Sequence, residues 1–329
     1  MQRRDVLLAA AGASLLAFAG RAHAAPGSEL IDDHWLAEGG ADAGALDHVA
    51  WHQWLLRYVV ESADGVNRVR YGDVTREDRD SLRRYIDDMA AVDVTAYVRA
   101  EQMAYWVNLY NALTVDVILS EYPVSSIRDI NDGLFSFGPW GRDVITVEGR
   151  TLTLDDIEHG ILRPIWRDPR IHYVVNCASI GCPNLAKAAY WGNGIDSRLT
   201  QAAYSYVNDP RGAEVSTSGR LVVSSLYLWF EEDFGGSESG VIDHLTTYAT
   251  NLLRTSLSGV SDIHDDRYDW SLNDATGMPA QDPGYKGSGS KGLGTVDSSE
   301  AETSASGGAV SGARLGSSHK VIVAEPVDP

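Results

Sequence analysis

Residues 97–119 read YVRAEQMAYWVNLYNALTVDVIL, and this stretch decides the fold. Met103, Trp106, Tyr110, Leu113 and Val117 recur at spacings of 3, 4, 3 and 4, which places them on one face of a helix. The helix should stop before Tyr122-Pro123, because the residue preceding proline is pushed out of the helical conformation. Three polar residues, Glu101, Asn108 and Asn111, interrupt an otherwise apolar surface. Asn108 and Asn111 are three apart and share a face. Amides in that position either orient a reactive group or satisfy buried backbone. With only short strand signals elsewhere, the expected class is α+β: one domain, its small mixed or antiparallel sheet packed on this long central helix.

Residues 170–185, RIHYVVNCASIGCPNL, hold both cysteines of the chain, Cys177 and Cys182. The β-branched and aromatic run 171–175 predicts a short strand. Residues 176–181 predict a loop, and Cys182-Pro183 suits the first turn of a helix over 184–191. A thiol at a strand end or helix start feels aligned peptide dipoles that favour the thiolate. The pattern points to a cysteine-dependent hydrolase or acyltransferase on peptide or amide bonds, with Cys177 as the first candidate nucleophile and Cys182 the second. Such chemistry needs an imidazole base and a third group to orient it. His172 lies five residues before Cys177, an odd separation that faces the two apart on a regular strand. His159, beside Glu158, therefore competes for the role of base. Glu101, Asn108, Asn111 and Glu158 are candidate orienting groups. A polar helix packed on a histidine-bearing sheet is loosely similar to papain-like and transglutaminase-like folds, although their cysteine begins the central helix, and 97–119 contains none.

Three other readings use the same residues. The cysteines could form a disulfide, although closing so short a loop would stabilise little. His159, His172, Cys177 and Cys182 are the ligand types zinc prefers, but their spacing matches no compact zinc pattern. A non-catalytic binding or structural module could use a groove lined by Trp106, Trp140 and Tyr173 for a small-molecule or peptide ligand. No cofactor is implied, since phosphate loops, dinucleotide glycine motifs and serine elbows are absent.

Elsewhere, residues 48–60 predict a helix with Trp51, Trp54, Leu55 and Tyr58 inward. A strand follows over 67–71, then a helix opened by a Thr75–Asp78 capping box and running to about 91. Residues 143–154 predict a hairpin turning at Glu148-Gly149-Arg150, with a helix starting at 154. A helix over 197–207, a hairpin of 214–216 with 220–223, and a helix over 241–253 complete the series.

The ends differ from the middle. Arg3-Arg4, an apolar run over 6–20 and Ala22-His23-Ala24 form the pattern of a secretory leader. The arginine pair resembles a twin-arginine export signal, with Gln2 where Ser or Thr is usual. The expected organisation is a leader over 1–24, a helical region over 25–94, a core over 95–210, an extension over 211–274 and a disordered low-complexity tail over 275–329. Export to the periplasm or outside the cell follows, with no membrane span in the mature chain. With 46 acidic against 27 basic side chains and a net charge of −19, nucleic acid is excluded as a partner.

Five stretches taken in order resemble the family called domain of unknown function 547. They are YWVNLYNALTVDVIL (105–119), YPVSSIRDI (122–130), LTLDDIEHGILR (152–163), DPRIHYVVNCASIGCPNL (168–185) and LYLWFEEDF (226–234). The resemblance covers about residues 95–235. It implies an exported bacterial protein with one α+β domain, and it brings no agreed catalytic residues.

Overall fold

The computed structural model describes residues 26–40, 43–131 and 138–276. The expected leader, and all of the expected tail except Ala275 and Thr276, lie outside the described residues. Its centre is α1, α2 and above all α3. Helix α1 (Val49–Tyr58) and helix α2 (Arg76–Ala90) flank the hairpin β1 (Val59–Glu61) and β2 (Asn67–Val69). Thr75 opens α2 by accepting from the Asp78 N–H at 3.1 Å. Helix α3 (Arg99–Glu121) leaves the helical conformation at Tyr122, before Pro123. From Glu101 to Val115 every residue of α3 is buried, so the seam of Met103, Trp106 and Tyr110 is one side of a helix enclosed on all sides.

Strands β3 (Ile145–Val147) and β4 (Arg150–Leu152) pair antiparallel around Glu148 and Gly149. Both turn residues have positive φ, 47° and 75°, as a tight hairpin turn requires. Thr153 and Asp156 then form a capping box on α4 (Leu154–Ile157). The chain continues through one π turn (Glu158–Leu162) into α5 (Arg163–Trp166). The wider π turn is absent from the sequence expectation, and such turns concentrate at functional positions.

Beyond it come α6 (Ile195–Val207), β5 (Ala213–Val215), β6 (Leu221–Ser224), α7 (Ser225–Trp229), α8 (Glu238–Tyr248), α9 (Asn251–Leu257) and β7 (Ile263–Arg267). Strand β6 pairs antiparallel with β5 and parallel with β7. The class is α+β, as expected, but among the described residues the strands make three small sheets and not one laid against the helix. One hydrophobic cluster surrounds α3. A second gathers Tyr173, Tyr206, Tyr227, Phe234 and Leu245 between α6, α7 and α8.

Three segments depart from expectation. Residues 171–175 are not a strand: Pro169–Tyr173 is a 3₁₀ turn capped by the Asp168 carboxylate on the Arg170 N–H at 2.9 Å. Residues 184–191 form no helix, because tertiary partners take their backbone groups. Asn67 donates to the Leu185 carbonyl and Asn108 binds both the N–H and the carbonyl of Tyr190. The helix expected over 241–253 breaks at extended Ala249, where Thr250 caps α9.

Candidate functional site

The cysteine loop is built from side chains. Asn111 on α3 donates to the Val174 carbonyl at 2.8 Å and accepts from the Asn176 N–H at 2.8 Å. Asn176 in turn ties the loop on itself, accepting from Ala178 N–H and donating to the Pro183 carbonyl. Ala178, directly after Cys177, sits at φ 59°, a left-handed conformation costly for a residue with a Cβ. From the far side, residues 268–275 run along the loop as a strap. Ile180 and Gly181 N–H groups donate to the Ser271 and Asp269 carbonyls at 2.8 Å, and Asn273 N–H donates to Ala178 at 3.0 Å. A Cβ on Gly181 would meet the Asp269 nitrogen at 2.7 Å, so only glycine admits the strap this closely.

These ties bring two free thiols together. Cys177 Sγ and Cys182 Sγ are 3.3 Å apart, Cys177 half-buried and Cys182 buried. Cys177 Sγ also lies 3.3 Å from the Ser179 hydroxyl and 3.1 Å from the Tyr268 hydroxyl. The hydrogen bond from Cys182, joined by those of Ser179 and Tyr268, pulls the Cys177 thiol below the ordinary value against burial and the charge of Glu158. Burial, and then the neighbouring Cys177, push Cys182 well up. The pair is chemically unequal: the thiol of half-buried Cys177 is shifted toward ionisation and that of buried Cys182 away from it.

A second polar cluster forms where the π turn meets the segment after α7. His172 Nε2 lies 2.7 Å from Asp233 Oδ2, and its Nδ1 lies 3.6 Å from Glu158 Oε1. Its ring stacks on Phe230 with centroids 4.2 Å apart. Arg163, buried, donates to Asp233 at 2.6 Å, Glu232 at 2.7 Å and the Pro26 carbonyl at 2.7 Å. Burial alone would lower His172, but the hydrogen bonds and charges of Asp233 and Glu158 raise it. Burial would likewise raise Glu158, yet the charges of His159 and His172 and hydrogen bonds from His172 and Tyr110 bring it down to about 2. The His159 share requires a protonated ring, and burial lowers His159 itself.

The candidates thus divide. Cys177 and Cys182 meet each other. His172 and Glu158 meet in the second cluster. His159 faces Arg163 at 3.1 Å and Asp155 at 3.6 Å. The nitrogens of both rings point at carboxylates and a guanidinium, so the anticipated imidazole–sulfur pair is replaced by a thiol–thiol pair. Asn108 and Asn111 are backbone ties, as their alternative reading held. Glu101 accepts from the Leu46 N–H at 3.2 Å and has its carboxylate against Gly192, so it orients no imidazole. The sulfurs sit on a loop and not at the head of α3, unlike the papain-like arrangement. Among the described residues no group of three or more His, Cys, Asp or Glu could hold a metal ion, so His159, His172, Cys177 and Cys182 are not a zinc set. Nor do Trp106, Trp140 and Tyr173 line one groove. Trp106 and Tyr173 are buried in different clusters, and Trp140 packs on Trp270.

Tyr268, Asp233 and Arg163 escaped the sequence reading. Tyr268 comes 91 residues after Cys177, and nothing local marks it. Asp233 sits in an acidic run that resembles a solvated face. Residues 94–207 match a family model described as "Protein of unknown function, DUF547". No curated protein and no solved structure matches the chain.

Proposed function

On the geometry of its cysteine loop we propose that the chain is a thiol–disulfide oxidoreductase. Cys177 attacks and Cys182 resolves. The observation that carries this reading is the 3.3 Å approach of two sulfurs with opposite shifts in acidity. The attacking thiol of an exchange reaction must ionise and be reached, while the resolving thiol acts from within.

The Cys177 thiolate attacks one sulfur of a client disulfide, forming a mixed disulfide and expelling one client thiolate. That thiolate takes up the Cys182 proton. Cys182 then attacks Cys177 Sγ, forming the intramolecular disulfide and releasing the second client sulfur as a thiol after protonation. The client gains two electrons and two protons, and the cysteine pair loses them. Turnover needs a dithiol reductant to reopen the pair. Export under the N-terminal leader would place this chemistry where disulfides form and persist.

A hydrolase or acyltransferase would draw on the same nucleophile. The base of that second reading would have to be a histidine, and the ring nitrogens of His172 and His159 face carboxylates and a guanidinium. One pair of variants separates the two. Reduction of glutathione disulfide by the dithiothreitol-recharged protein should fall to background in both Cys177→Ser and Cys182→Ser, with Cys182→Ser trapping a mixed disulfide visible by mass. Acyl transfer would require Cys177 alone. Undiminished disulfide reduction in the Cys177→Ser protein would refute the proposal.

A further inference from the structure

The wall beside Cys177 is aromatic. Tyr268, whose hydroxyl lies 3.1 Å from Cys177 Sγ, has its ring 4.7 Å from Trp229 and 4.7 Å from Trp270. Trp229 and Trp270 stack at 5.5 Å and 24°. Trp140 meets Trp270 edge-on at 5.8 Å. All four rings are half-buried, although they come from the end of α7, the strap and the approach to β3. Scattered exposed aromatics need no explanation, whereas a contiguous group touching a reactive sulfur has the make-up of a recognition surface.

Charge narrows what this surface would take. Asp269 stands exposed between Tyr268 and Trp270, and exposed Asp266 lies two residues before Tyr268. The whole chain carries −19, so an anionic client is repelled on approach. Trp270 already shows what suits its face: the Arg128 guanidinium carbon lies 5.1 Å above the ring, within cation–π range.

We propose that Trp229, Tyr268 and Trp270 form the client-binding surface of the thiol site. The client is an extended peptide with an aromatic or aliphatic side chain beside its reacting cysteine and lysine or arginine nearby. The apolar side chain lies along the rings while the cations face Asp266 and Asp269. This inference rests on the thiol–disulfide reading for its chemistry, but not for its binding.

Two measurements keep the parts distinct. In the first, Cys177→Ser protein is titrated with a reduced, S-methylated Lys-Leu-Trp-flanked cysteine peptide bearing no fluorophore other than its own tryptophan. Calorimetry reports binding. Saturable binding is expected, weakened at least tenfold by Trp229→Ser or Trp270→Leu in folded variants and by Asp269→Asn at low salt. Absent binding, or binding indifferent to all three changes, overturns the proposal whatever the redox result. In the second, two peptides are joined to thionitrobenzoate through a disulfide, one with apolar-cationic flanks and one with Gly-Ser-Asp flanks. The reduced wild-type protein should release thionitrobenzoate more than tenfold faster from the first, and the ratio should fall below threefold in Trp229→Ser. Equal rates in the wild type would refute the preference. No release from either peptide, with binding intact, would refute the oxidoreductase reading and leave the docking surface.

Discussion

Replacing Asn111 with alanine is the most direct assay of how the cysteine loop is held. The Asn111 amide is the partner of both the Val174 carbonyl and the Asn176 N–H, each at 2.8 Å, and it is 2% exposed. Alanine would orphan two backbone groups in the interior. Each unsatisfied group costs about 1–3 kcal/mol, giving a loss of roughly 2–6 kcal/mol, with the lower end expected if water enters. That is a large part of the 5–15 kcal/mol or so that holds a typical domain together. Urea unfolding at pH 7 measures the loss directly. Asn111→Asp sharpens the test, since it keeps the acceptor for Asn176 and sets an oxygen against the Val174 carbonyl. Protonated, the acid could donate in place of the amide; ionised, it could not. Its folded pKa should therefore rise, so the variant should be least impaired below the unfolded value and lose stability as pH climbs to the folded one. Slackening the loop should also speed iodoacetamide labelling of buried Cys182. An Asn111→Ala protein within 1 kcal/mol or so of wild type, with unchanged Cys182 labelling, would refute the claim that side-chain ties and not local structure hold the loop.

Three further outcomes are expected. Trp106→Ala removes a buried ring that packs edge-on against Trp35 at 5.1 Å and Tyr105 at 4.8 Å, and should cost about 3–5 kcal/mol by urea unfolding. His48 is buried and hydrogen-bonded to Tyr85 at 2.8 Å, and burial lowers it to about 4. Its folded pKa is below the unfolded value, so protonation favours unfolding. As pH falls from 6.5 to about 4, stability should drop by up to about 1.4 kcal/mol per unit from this group, and His48→Leu should flatten that slope by one proton. Asp233→Asn removes the hydrogen-bonded carboxylate that does most to raise His172. The imidazole NMR titration should move to lower pH, and the stability this pair contributes below the unfolded histidine pKa, lost as pH rises through the raised folded one, should shrink.

The central helix was legible because periodicity is local. Met103, Trp106, Tyr110, Leu113 and Val117 announce one face by spacing alone, and Pro123 marks the end. The Glu148-Gly149 turn and the Thr75 cap were legible for the same reason, since each is a matter of a few adjacent residues. The run 171–175 misled because β-branched residues report a preference for extended backbone, and that preference yielded to Asp168-Pro169 opening a 3₁₀ turn and to Asn111 taking the Val174 carbonyl. Pro183 suited a helix start, but the groups that such a helix would have paired went to Asn67 and Asn108. At the site, the cysteines could be found by type. Their partner Tyr268 could not, because it reaches Cys177 only through a strap whose course no local pattern records.

The polar residues of α3 and the missing regular structure beside it have a common explanation. Residues 174–190 form no named strand or helix, and beyond the strap bonds at 178–181 their buried backbone groups must be paired somewhere. Asn108 and Asn111, one helical turn apart, each present a donor and an acceptor, as the edge of a strand would. They bind Tyr190 and the Val174–Asn176 segment in that manner. Arg211 does the same from outside, donating to the Ile180 and Cys182 carbonyls, and Tyr206 donates to Gly181. A loop pinned at separate points can flex between them. To bond, the sulfurs must close from 3.3 Å to about 2.0 Å, a movement that side-chain rotation and a small loop adjustment can supply. In a regular strand the same movement would break the register of the whole ladder. On the proposed thiol–disulfide chemistry, the irregular, amide-held loop is the feature that would let two cysteines be fixed in place and still react with each other.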